Sequence, residues 1–329
     1  MASPARRVPS SRRTPFLVAA AVAVFAAVGV AGCGSDGGSS GASAAGTLDV
    51  VATTTQLGDI VREVGGSAVD VHQILQPNSD PHDYEPRPAD VAAVAKAKVV
   101  FESGNTLDAW MGKVVSAAGG DAKVVTAADT NVDRVAGEKS GPEASTYDPH
   151  WWHDPKNVEA VIPEIRDALI AADPGKEAAF TAAASAYLRK VQALDGRLAR
   201  CLSSIPASER KLVTSHDAFN YFAKRYGITV IGAVIPSQTT QAQPSAGALA
   251  SLAALVRKEH VKAVFPESSI NPKLADALAK ETGATAKLEL YGDTLGPVDS
   301  PAGTYIGMEQ ANGEAMMRGF TGGKQGCPA

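Results

Sequence analysis

Beyond its first 46 residues the chain has no apolar run approaching the ~20 residues that a membrane-crossing helix needs. It has no surplus of positive charge either. Its 31 Lys and Arg stand against 35 Asp and Glu, for a formal net charge of −4, and no basic stripe marks a nucleic-acid surface. The HExxH, G-x-S-x-G and P-loop signatures are all missing, which removes the common sequence marks of metalloproteases, serine hydrolases and nucleotide-binding enzymes. Aromatic residues make up only 5% of the chain and cysteine occurs three times, so neither a large aromatic core nor a disulfide-dense scaffold is expected.

What is present begins with an export signal. Arg6, Arg7, Arg12 and Arg13 precede the apolar run from Phe16 to Val30, the pattern of a secretory signal over residues 1–32. The run ends in Val30-Ala31-Gly32-Cys33, which resembles the lipobox of bacterial lipoproteins, with Cys33 as the lipidated residue. An ordinary signal peptide with a stray cysteine is the alternative. A weak twin-arginine likeness leaves the export route open between Sec and Tat. Residues 33–46 are rich in Gly and Ser, the composition of a flexible tether. This reading places a soluble body on the extracytoplasmic side of the cell membrane, held by membrane lipid. In an exported chain the remaining pair, Cys201 and Cys327, is compatible with one disulfide, and two free thiols are the alternative.

The remaining 280 or so residues exceed what one core usually serves, so two domains are expected. Hydrophobic periodicity alternates short β-rich runs with helical ones: strands at 48–53, 69–75, 98–103 and 122–128, then at 211–215, 228–234, 261–267 and 285–290, with helices between them. That rhythm predicts α/β architecture with mainly parallel sheets. One helical pattern, from Pro174 to about Leu202, stands apart in length. The predicted layout is an α/β lobe over 47–173, a long linking helix over 174–204, and a second α/β lobe over 205–329.

In open α/β sheets, ligands bind beyond the C-terminal ends of the strands. His82, His150, His216 and Asp293 all fall at such places, two in each half. Zinc favours about four ligands of this kind. A lone loop histidine is more often an ordinary turn residue, and the residues by themselves leave the two readings level. A hydrolytic zinc site is a weaker option, because catalytic zinc usually keeps one position open.

Five motifs occur in order: "DPHDYEP", "DPHWWHDPKNV", "TSHDAFNYFAKRYGI", "VFPESSINPKLADALAKETGA" and "YGDTL". Together the chain from Leu48 onward resembles the metal-binding (cluster A-I, or cluster 9) solute-binding lipoproteins of zinc and manganese ABC importers. The resemblance implies two lobes joined by one long rigid helix. It implies a single divalent metal held between them, and no enzymatic activity. The implied partners are a membrane permease and its ATPase. The protein is expected to be a monomer.

Carried over motif by motif, the resemblance implies metal ligands at His82, His150, His216 and Asp293. Thr294 stands where the family usually has Ser. Manganese-specific relatives typically place Glu at the third position, so His216 argues for Zn2+ as the bound ion, with Mn2+ as the competitor within the family. This agrees with the preference of manganese for oxygen-rich sites. An adhesin or metal-sequestering lipoprotein of the same fold is a further alternative. No histidine lies between Asp129 and Ser145, so the His-rich tract of some relatives is missing. Glu267 matches a family carboxylate near the cleft and is a candidate to support a ligand; a plain surface Glu is the alternative. His153 stands where relatives are usually apolar. It is expected to be a hydrogen-bonded histidine beside the site, with an auxiliary ligand as the alternative. Trp151 and Trp152 are read as packing, and His72 and His260 as structural.

Overall fold

The computed structural model describes residues 46–130, 133–141 and 144–327. The signal segment, Cys33 and all of the tether except Gly46 lie outside them. The first lobe is built on four parallel strands, β1 (Leu48–Ala52), β2 (Val69–Gln73), β3 (Val99–Glu102) and β4 (Lys123–Thr126), in the order β2-β1-β3-β4. Its helices are α1 (Thr55–Gly65), α2 (Pro88–Val94) and α3 (Met111–Ala118). Both β1 and β3 are apolar along nearly their whole length, as strands covered on two faces must be. Thr54 caps α1, its hydroxyl accepting from the Leu57 amide.

α4 (Pro155–Ala172) leads to α5 (Glu177–Ser203), preceded by a single 3-10 turn at Pro174–Lys176. With 27 residues, α5 is ~40 Å long. Phe180, Ala184, Tyr187, Val191, Leu194 and Leu198 recur at helical spacing and are buried. That stripe packs on α4, α1 and α9 (Tyr305–Thr321). The approach to α9 depends on Gly313, where a Cβ would sit 2.4 Å from a Leu198 methyl. Cys201, on the last turn of α5, is disulfide-bonded to Cys327, which ties the C-terminal segment to the linking helix.

The second lobe holds β5 (Lys211–Thr214) paired in parallel with β6 (Thr229–Ala233), and helices α6 (Asn220–Tyr226), α7 (Ala246–Lys258) and α8 (Lys273–Thr282). Here the structure corrects the sequence reading. The strands expected at 261–267 and 285–290 appear only as isolated bridges, Thr214 to Phe265, Ala263 to Thr285 and Glu267 to Leu290. They occupy the rows of a wider parallel sheet, but Pro266 has no N–H to give, so no continuous ladder forms. Two helices also start later than the helical patterns at 107–120 and 217–227 suggest. α3 begins at Met111 because Asn105 and Thr106 adopt positive φ and the Asp108 carboxylate takes the amides of Ser103 and Gly104. α6 begins at Asn220, past the turn that follows His216. His72 lies on β2, beside Asp90, and His260 follows α7 with φ of 52°.

Candidate metal centre

The structure brings His82, His150, His216 and Asp293 together, with one potential ligand atom from each within 4.8 Å of all the others. All four side chains are fully buried. The His150 and His216 Nε2 atoms are 3.3 Å apart. Asp293 Oδ1 lies 3.2 Å from His150 Nε2, and Oδ2 lies 3.4 Å from His216 Nε2 and 3.9 Å from His82 Nε2. Ligands at 2.0–2.2 Å around a tetrahedral ion are separated from one another by roughly 3.3–3.5 Å. The separations among His150, His216 and Asp293 fit a small divalent cation, and His82 lies slightly farther out.

Each part of the cluster is set by local sequence. In both Asp-Pro-His turns the aspartate accepts the amide of the histidine two residues on: Asp80 from His82 and Asp148 from His150, each at 2.9 Å. Asp148 does more, since its Oδ1 also lies 2.7 Å from His150 Nδ1. Its Oδ2 accepts from Asn220 and Gln238, both at 3.1 Å. The carboxylate keeps the proton on Nδ1 and directs the Nε2 lone pair into the cluster. Glu267 supports His216 in a similar way. It accepts the His216 amide at 2.8 Å, and its second oxygen is 2.9 Å from Nδ1, close but not aligned for a hydrogen bond. Gly292 leaves room for this carboxylate, since a Cβ there would lie 2.3 Å from Glu267 Oε2.

The electrostatics call for a cation. Neither oxygen of Asp293 has a well-formed hydrogen bond, although the side chain is fully buried. Such a group is costly unless a positive charge faces it. Burial alone would raise Asp293, but His216, His150 and His82 hold it well below the usual carboxylate range. Burial alone would lower His150, but Asp148 and Asp293 lift it from 6.5 to about 9. His216 is likewise raised by Glu267 and Asp293 against its burial. With two Nδ1 atoms facing carboxylates, the converging Nε2 lone pairs repel one another unless protons or a metal ion lie among them.

His153 is fully buried but is not part of this cluster. Its Nδ1 lies 2.7 Å from Glu309 Oε1 on α9, and its ring stacks on Phe219 at 4.4 Å. Trp151 and Trp152 fix the same turn, through Trp151 Nε1 donating to Ser103 Oγ at 3.0 Å and Trp152 Nε1 donating to the Gly292 carbonyl at 3.1 Å. Sequence reasoning missed Asp148, Gln238, Asn220 and Glu309. Only Asp148 left a readable trace, in the repeated Asp-Pro-His.

The family model described as zinc-uptake complex component A, periplasmic (ZnuA), matches residues 50–319. The chain belongs to the ZnuA family. Members of that family are binding proteins that serve ABC transport, not enzymes. Among curated relatives, the manganese-binding lipoprotein MntA of Bacillus subtilis is 34% identical over 300 residues, which is 89% of this chain and 95% of the relative. The iron-binding protein YfeA of Yersinia pestis is 34% identical over 272 residues, 82% of this chain and 86% of the relative. A solved structure, the periplasmic zinc-binding protein TroA of Treponema pallidum, superposes with a TM-score of 0.76 at 31% identity, covering 84% of this chain and 99% of that one. The ZnuA-family chain thus shares its fold with a protein named for zinc, and a third of its sequence with relatives named for manganese and iron.

Proposed function

We propose that this protein captures zinc between its two lobes, through His82, His150, His216 and Asp293, and delivers it to the permease of an ABC importer. The observation that carries this reading is the convergence of three imidazole nitrogens and one carboxylate, fully buried and all within 4.8 Å of one another. Imidazole at the third position, His216, supports zinc over manganese. The body, with lobes at 47–173 and 205–329 around the helix of 174–204, works as a monomer on the extracytoplasmic face. There it is tethered to the membrane through lipid on Cys33. Because one long helix links the lobes, loading changes their arrangement only modestly.

A second reading, manganese or iron as cargo, is supported by the two open oxygens of Asp293. They permit bidentate binding and a higher coordination number. Competitive titration of the metal-stripped protein with Zn2+, Mn2+ and Fe2+ tests the two, against the general lead that zinc holds over manganese and iron at such sites. Zinc bound at least a hundredfold tighter is expected. Manganese binding as tightly as zinc would favour the second reading.

A further inference from the structure

The four groups are not held alike. His150 sits in a turn fixed by buried bonds: Tyr221 donates to the Asp148 carbonyl at 3.1 Å, and His153 pairs with Glu309 at 2.7 Å. His216 is fixed from within its own lobe by Glu267, and the segment before Asp293 is held by a fully buried bond from Trp152 of the first lobe to the Gly292 carbonyl. These three ligands show the short separations of 3.2, 3.3 and 3.4 Å.

His82 stands farther out, 3.9 Å from Asp293. The turn that carries it is tied across to the other lobe by partly buried bonds. The Thr240 hydroxyl donates to Asp80 Oδ2 at 2.6 Å, and the Gln241 side-chain amide donates to the His82 carbonyl. Both residues lie in the irregular segment between β6 and α7, where Gln241 is exposed and Thr240 half-buried. With every ligand buried, an ion enters or leaves only when some part of this shell opens. Openings follow the weakest, most solvent-accessible bonds first.

We propose that Thr240 and Gln241 latch the His82 turn over a preformed three-ligand site, so that these two positioning residues set how long the ion stays. The inference rests on the metal-binding reading above. In it, capture begins on His150, His216 and Asp293, and His82 closes the shell as the fourth ligand. Release then starts with the turn at residues 80–82 parting from the segment 236–245.

The test is the rate at which the full chain, loaded with Zn2+, gives up its ion to an excess of chelator in stopped flow. Thr240→Val combined with Gln241→Ala should release zinc at least ~10 times faster than the unaltered chain. Thr240→Ser, which keeps the hydroxyl, should release at the original rate. In equilibrium titration His82→Ala should retain weakened zinc binding, whereas His216→Ala should lose it. Release from the double variant within twofold of the unaltered rate would overturn the latch, as would equal losses in His82→Ala and His216→Ala. An unaltered chain that takes up neither zinc nor manganese would overturn the metal-binding reading itself, and the latch with it.

Discussion

His150 and His153 stand three residues apart in one turn, both fully buried and each 2.7 Å from a carboxylate through Nδ1. Only one of them joins the cluster. The Nε2 of His150 meets Asp293 and His216, while the Nε2 of His153 finds no hydrogen-bond partner and its ring lies flat on Phe219. A carboxylate behind the ring orients a histidine, but what the far nitrogen faces decides whether it can hold an ion. One pair belongs to the site, and the other fastens the turn to α9.

The largest expected effect breaks the comparison directly. His150→Ala should weaken zinc binding by at least ~1,000-fold, because a ligand and its directed lone pair are both lost. His153→Ala should leave affinity within a few-fold, and isothermal titration of the two variants reads the difference. Stability should respond to the His153 change as well. His153→Ala leaves the Glu309 carboxyl buried without its partner and removes the ring stacked on Phe219, a loss of about 3 kcal/mol. Denaturant unfolding of the metal-free variants measures it, and His153→Ala together with Glu309→Leu should recover part of the loss.

The pH dependence sharpens the same contrast. In the metal-free protein His150 is raised from 6.5 to about 9. Its contribution, roughly 3 kcal/mol, is full below the unfolded value and is lost as pH rises through about 9. Apo stability should therefore fall between pH 6.5 and 9. Zinc affinity should rise over the same window as the proton leaves the His150 ring, by up to about tenfold per pH unit. Thermal melts with and without zinc across that range test both signs. The smallest effect belongs to the orienting group. Asp148→Asn should weaken zinc binding ~10–100-fold, because the tautomer and ring direction of His150 are loosened while the ligand itself remains.

Legibility in the sequence followed the range of the interaction. The strands β1 to β4 and the helix α5 show plainly in hydrophobic period, and the four candidate ligands fall in loops that follow strand-like runs, within ordered motifs. The partner of His153 was invisible, because Glu309 lies 156 residues away on a helix that reads only as amphipathic. Glu309 and Asn312 are buried polar positions on that helix, and nothing in a linear pattern says what they face. The outer rows of the second sheet were over-read. Residues 261–267 carry strand-like composition, yet Pro266 interrupts the ladder that composition suggests. Thr240 and Gln241 sit in a polar loop whose composition is that of any turn, so their reach to the Asp80–His82 segment emerges only in three dimensions.

The central claim is that four buried atoms from distant parts of the chain share one ion. Diffraction from crystals of the zinc-loaded protein, collected on both sides of the zinc absorption edge, tests it directly. The account predicts a single anomalous peak 2.0–2.2 Å from an Nε2 atom of His82, His150 and His216 and from a carboxylate oxygen of Asp293. A peak at His153 and Glu309, or a strong peak elsewhere with none among these four side chains, would contradict it.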